Sequence, residues 1–167
     1  MNHASKLTPN QRPGLVGHNP VTGRTWWAAS SESFDVSADG HFLAYTDYAK
    51  VYVRNRVTHH TRLVSVDKQH RLRDLGYDTV AISADGRVVS FDTVNHQGSS
   101  QQVWLRNLQQ HRTRLISVSL GGRPGNSTSL EPDLSANGRT VAFNSFASNL
   151  VRHDTNNSMD VFIRQLR

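Results

Sequence analysis

The amino-acid sequence predicts an all-β chain of repeated four-stranded units, and three observations carry that prediction. One stretch is written three times, over 34–45, 80–91 and 133–143 with Pro132 before the last. Each copy centres on Ser-Ala-Asp-Gly or Ser-Ala-Asn-Gly followed by a basic residue: Ser37 to His41, Ser83 to Arg87, and Ser135 to Arg139. On both sides of that centre apolar and polar residues alternate, the period of a strand whose side chains point to opposite faces. Asp-Gly and Asn-Gly accept positive φ, so between two β-rich runs they mark a tight hairpin turn.

Each unit reads as four strands. The first is short and ends at the turn serine. The second follows the turn glycine, over 41–46, 87–92 and 139–144, with Tyr45, Phe91 and Phe143 at equivalent places. The third covers 50–55, 102–108 and 160–166, where apolar residues alternate with an outward basic one. The fourth is Thr-Arg-Leu-Val-Ser-Val over 61–66 and Thr-Arg-Leu-Ile-Ser-Val over 113–118. Leu15 to Asn19, then Thr25, Trp26 and Trp27, repeat the spacing of a third and fourth strand. The predicted organisation is a loose polar arm over 1–13 and a repeat domain over 14–167. Within that domain, 14–30 is the end of a unit, 31–68 and 77–119 are full units, and 130–167 is a unit lacking its last strand. No window has the period of an amphipathic helix.

Composition narrows the function classes. With 167 residues one domain is expected, large enough to bury a core. Nineteen Lys and Arg against thirteen Asp and Glu give a net charge of +6 and a pI near 10.3. These charges are scattered singly through the repeats, which argues for general solubility and against a nucleic-acid partner. No window approaches the ~18 apolar residues of a membrane span. The first thirteen residues lack the apolar centre of a secretory signal. The absence of cysteine excludes disulfides, thiol catalysis and cysteine-ligated zinc.

Ser37, Ser83 and Ser135 lie 46 and 52 residues apart. Four antiparallel strands at such a period fit the blades of a β-propeller. The length difference falls in the loop between second and third strands, which makes 93–101 and 145–159 the expected contact surface on one rim. Pro132-Asp133-Leu134-Ser135-Ala136-Asn137-Gly138-Arg139 and the strand after it resemble the TolB-like, or WD-like, β-propeller repeat. Ala147-Ser148-Asn149-Leu150-Val151 and Asp160-Val161-Phe162-Ile163-Arg164 extend that resemblance. The first unit has Phe34 where the repeat has Pro, and the second has Ala81 where it has Asp. The resemblance implies a non-enzymatic interaction role, often in bacterial envelope or secreted proteins. Four to eight blades close a ring, and this chain holds about three. The expectation is therefore a homo-oligomer, two chains completing a ring of about six blades by exchanging strand 25–30, or a part of a longer propeller.

Asp154, Asn156, Ser158 and Asp160 place oxygen side chains at alternating positions, the way a loop wraps a hard cation such as Ca²⁺. Asn, Asp and Ser are also ordinary loop formers, and the central Gly and distal Glu of a calcium loop are missing. No other cofactor is expected. His59, His60 and His111 fall in turns between third and fourth strands, and no spacing suggests a zinc site. No Gly-x-Ser-x-Gly elbow occurs, and the serines recur by repeat, which argues for structure over catalysis. Gly121 to Ser127 lacks the Lys of a phosphate loop. The expected function is a non-catalytic propeller scaffold binding a protein or ligand through rim loops. The alternatives are the propeller portion of a tricorn-like or prolyl-oligopeptidase-like hydrolase, and a basic anion or nucleic-acid binder.

Overall fold

The computed structural model describes residues 15–18, 21, 23, 25–29, 33–47, 50–66, 78–93 and 100–166. The expected arm over 1–13 lies outside the described residues. Thirteen strands follow one another: β1 (Leu15–His18), β2 (Thr25–Ala29), β3 (Phe34–Val36), β4 (Phe42–Asp47), β5 (Lys50–Asn55), β6 (Thr61–Leu63), β7 (Val80–Ile82), β8 (Val88–Asp92), β9 (Val103–Asn107), β10 (Arg112–Leu115), β11 (Ser129–Leu134), β12 (Thr140–Ser145) and β13 (Asp160–Gln165). They form antiparallel sheets in chain order, β1-β2, β3 to β6, β7 to β10, and β11 to β13. Among the described residues there is no helix, so the chain is all-β.

The repeated turn explains why the hairpins form where they do. Gly40, Gly86 and Gly138 have φ of 69°, 70° and 66°, the left-handed region open to glycine. Each glycine amide donates to the carbonyl of the turn serine, at 2.8, 2.9 and 2.8 Å. Each serine hydroxyl donates to the side chain two residues on, Asp39 and Asp85 at 2.6 Å and Asn137 at 2.8 Å. The same serine oxygen accepts the amide that opens the next strand, from Phe42, Val88 and Thr140. The Ser37 hydroxyl, and then the His41 amide, hold the Asp39 carboxyl below the usual carboxylate range. Because these bonds are local, all three copies make them alike.

The sheets pack face to face. Ala44, Val51, Val53 and Val64 of the first full blade bury against Val80, Ile82, Val89 and Phe91 of the second. Ala81, Val103, Leu105 and Ile116 on the other face of that blade bury against Leu134, Val141 and Phe143 of the third. Every second residue of a strand thus serves one neighbouring blade and the intervening ones the other.

Polar ties run between the blades as well. Asp35 Oδ1 accepts from the Val36 amide at 2.7 Å, and its Oδ2 accepts from the Ile82 amide of the next blade at 2.8 Å. Asp92 is buried, and burial pushes its carboxyl up. It accepts from the Thr79 amide at 2.8 Å, the Thr79 hydroxyl at 2.9 Å, and the Glu131 amide of the third blade at 2.9 Å. Glu131 reaches that position at φ 53°, inside the bulge between Leu130 and Asp133.

One expectation needs correction. The basic residue of the third strand does not always point outward. The Arg106 side chain is 1% exposed and donates to Val66 O at 3.3 Å and Thr113 Oγ1 at 2.7 Å, and Arg164 donates likewise to the carbonyl of Val118. Each guanidinium reaches back to the end of the preceding blade, and the Thr113 hydroxyl joins Arg106 in donating to Val66 O, at 2.6 Å. The strand expected over 25–30 lies partly within the described residues. Its described part, β2, pairs with β1 in the register Val16↔Trp27, Gly17↔Trp26 and His18↔Thr25.

Asp133 is exposed and its Oδ1 accepts from the neighbouring Leu134 amide at 2.7 Å, whereas Asp35 also reaches the Ile82 amide of the next blade. Asp35→Ala is therefore expected to lower the stability of the dilute monomer by about 1–3 kcal/mol, because the Ile82 amide loses its partner. Asp133→Ala in the same urea titration is expected to cost less than about 1 kcal/mol.

Candidate functional site

Antiparallel strands put the turns of each blade at one end and the loops between second and third strands at the other, giving two rims. At the turn rim a cavity of about 360 Å³ opens between the second and third blades. Arg87, Arg112, Arg114 and Arg139 line it, with the amides of Asn107, Gln109, Gln110 and Asn137. Arg87 and Arg139 arrive there because each follows its turn glycine on adjacent blades. Arg112 and Arg114 lie two residues apart on β10, in register with Asn107 and Leu105, and so share one face. Burial, and then the charge of Arg112, lower the pKa of Arg114.

Asp85 is the one carboxylate in the lining, and its oxygens are engaged. It accepts from Ser83 Oγ at 2.6 Å and the Arg87 amide at 3.0 Å, and pairs with Arg87 Nε at 3.6 Å. Burial pushes its carboxyl up, but the Ser83 and Arg87 contacts together bring it below the usual range. Among the described residues, no carboxylate lies within ion-pair distance of Arg112, Arg114 or Arg139. A cavity with guanidinium forks and amide groups is suited to binding an anion, since charge-assisted hydrogen bonds to carboxylate or phosphate are the strong ones. The lining holds no Ser, Thr, His or Lys to act as nucleophile or base.

Along the sequence these arginines are scattered, and the loop lengths place the contact surface on the opposite rim. The available signal was the basic residue after each turn glycine together with Arg112 and Arg114, but only the stacking of two blades brings them together. On the loop rim, 94–99 lie outside the described residues. The 145–159 loop is anchored by Ala147 and Leu150, both buried. It is tied to the 121–127 connection by Asn126 Nδ2 to Ser148 Oγ at 3.1 Å and by Asn149 Nδ2 to Pro124 O at 3.1 Å.

The residues named for a cation fall within that same loop. Asn156 Nδ2 donates to both carboxylate oxygens of Asp160, each at 3.1 Å, and Asn156 Oδ1 accepts from the Ser158 amide at 2.9 Å. Ser158 Oγ donates to Asn156 O at 3.3 Å. Three of the four residues are thus joined by their own hydrogen bonds, and no hydrogen bond ties Asp154 to them. Among the described residues no three His, Asp or Glu side chains gather as a metal cluster. His59 and His111 are exposed turn residues at φ 60° and 53°, and His111 Nδ1 lies 2.8 Å from Arg62 Nη2 on the preceding blade.

No protein-family model matches the sequence, and no curated protein does. Solved structures do match. The tricorn protease superposes with a TM-score of 0.61 at 15% identity, over 82% of this chain and 14% of that one. TolB from Acinetobacter baumannii superposes with a TM-score of 0.58 at 15% identity, over 94% of this chain and 36% of that one. The fold is that of β-propeller blades. A chain of a nidogen/laminin complex gives a TM-score of 0.53 at 8% identity, over 86% of this chain and 49% of that one. At these identities the likeness concerns the propeller alone. This chain spans only the stated fraction of each of those propeller-containing chains.

Proposed function

We propose that the chain is a non-catalytic binding segment of a β-propeller that holds an anionic group of its partner in the turn-rim cavity. The observation that carries this reading is the convergence of Arg87, Arg112, Arg114 and Arg139 around a single, already engaged carboxylate. Guanidinium forks favour the planar carboxylate of an acidic side chain, and the neighbouring Asn and Gln amides suit a peptide backbone. A protein partner with an acidic segment fits this lining. The likeness to the tricorn protease supports a second reading, the propeller portion of a hydrolase, and a hydrolase domain in a longer reading frame would favour it.

The test uses a polyglutamate peptide and inorganic phosphate as separate probes in calorimetric titrations. The natural chain is expected to bind the peptide more weakly as salt rises. Arg112→Gln with Arg114→Gln is expected to weaken binding by about tenfold or more, at about 1.5 kcal/mol or more for each charge-assisted bond. Neither side chain makes a hydrogen bond to another described residue, so the fold is expected to survive. Equal peptide affinity in the natural and doubly substituted chains would overturn the reading. Phosphate binding without peptide binding would replace the acidic peptide with a phosphorylated ligand.

A further inference from the structure

We infer that the outer face of the three-stranded last blade and the outer face of the first full blade are two halves of one interface, joined head to tail by a second copy of the chain. The reading does not depend on the anion site.

The chain's own repeats show what each face requires. The register pairs Tyr45 with Tyr52, Phe91 with Trp104 and Phe143 with Phe162, so Val51, Val103 and Val161 are equivalent, as are Val53, Leu105 and Ile163. Val51 and Val53 are 0% and 4% exposed beneath the second blade, and Val103 and Leu105 are 0% and 3% exposed beneath the third. Val161 and Ile163 are 72% and 69% exposed. The surface that receives such residues is the first strand of the next blade, where Val80, Ile82 and Leu134 are 6%, 5% and 8% exposed. At the equivalent places of the first full blade, Phe34 and Val36 are 53% and 41% exposed. Two β-strand faces that bury apolar residues everywhere else in the chain thus leave them in water, one at each end of the stack.

Polar and steric details match the same pairing. The Phe42 ring covers Gly86 of the next turn, where an added Cβ would lie 2.2 Å from Cδ2, and Val88 covers Gly138, where it would lie 3.0 Å from Cγ2. Thr140 is next in that series, and Gly40 has only Arg56 Nη1, at 3.5 Å, over its Cβ position. Asp133 holds its own following amide as Asp35 does, and among the described residues its Oδ2 has no hydrogen-bond partner, where Asp35 Oδ2 reaches the next blade.

Edge strands complete the fit. By register β1 occupies the place of a third strand beside β2, with Gly17 where β13 has Ile163. The β13 strand of a second copy can take that place, exchanging a glycine for a branched side chain against the same partner strand. Thr25 would then oppose Arg164, as Thr61 opposes Arg54 and Thr113 opposes Arg106. Because the two faces are complementary and belong to one chain, two copies make the contact twice and close a ring of about six blades.

Light scattering of the natural chain at tens of micromolar is expected to give twice the 18.7 kDa chain mass. Val161→Asp with Ile163→Asp is expected to halve that mass while keeping the far-ultraviolet β spectrum. Since the chain has no cysteine, Ile163→Cys and Val36→Cys proteins can be mixed under mild oxidation. The mixture is expected to form a covalent dimer and neither protein alone to do so, a result that stands even if the double Asp variant fails to fold. A natural chain that stays monomeric at this concentration would overturn the inference. So would dimerisation of Ile163→Cys with itself, which marks a symmetric contact.

Discussion

Replacing Gly86 with alanine is expected to destabilise the fold by about 2–5 kcal/mol, whereas the same change at Gly40 costs about 1–2 kcal/mol. Both glycines occupy the same turn at nearly the same φ, 70° and 69°, so both substitutions incur the strain of a left-handed L-residue. The difference comes from the neighbouring blade. A Cβ on Gly86 meets three atoms of the Phe42 ring between 2.2 and 2.8 Å, and that ring packs against the buried cluster between the first two full blades. Displacing it adds an overpacking cost of about 1–3 kcal/mol. Gly138 is the intermediate case, with Val88 Cγ2 at 3.0 Å. Urea titrations of the three single variants check the ranking Gly86, Gly138, Gly40, and equal midpoints would contradict it.

Arg106→Ala is expected to cost about 3–5 kcal/mol, while Arg54→Ala, at the equivalent place, costs less than about 1 kcal/mol. Arg106 is the bulkiest fully buried side chain described, and its Nη1 bonds Thr113 Oγ1 at 2.7 Å and Val66 O at 3.3 Å. Burial, and then the charge of Arg62, lower its pKa. Truncation removes a large volume from between two blades and both hydrogen bonds at once. Arg54 is half-buried and makes one bond, to Thr61 Oγ1 at 3.3 Å. Arg106→Met is expected to recover part of the loss, because a well-packed apolar chain of similar length fills the space without a charge to desolvate. Guanidinium denaturation of the three variants measures the difference.

The fold is legible in the sequence where the physics is local. The Ser-Ala-Asp-Gly turns, the strand pairs that flank them and the four-strand period all rest on bonds between residues a few positions apart, so each repeat announced them independently. The register of β1 on β2 was legible for the same reason, since Thr25 keeps the spacing of Thr61 and Thr113. The fold is not legible where equivalent residues have different neighbours. Asp35 and Asp133 look alike in the chain, yet one bridges to Ile82 and the other sits exposed. Alternation points the third-strand arginines outward, but the end of the preceding blade offers carbonyls to Arg106 and Arg164.

The sequence by itself therefore determined the all-β class, the blade as its unit, the hairpin turns and the strand equivalences, because alternation and turn chemistry act within a single blade. Only the tertiary structure decided which face of each blade is covered, that Arg87 and Arg139 from successive turns meet Arg112 and Arg114 in one cavity, and that Val161 and Ile163 of the last blade, like Phe34 and Val36 of the first full blade, lie exposed where their equivalents are buried. Stacking joins residues about fifty positions apart, and no local rule carries that distance.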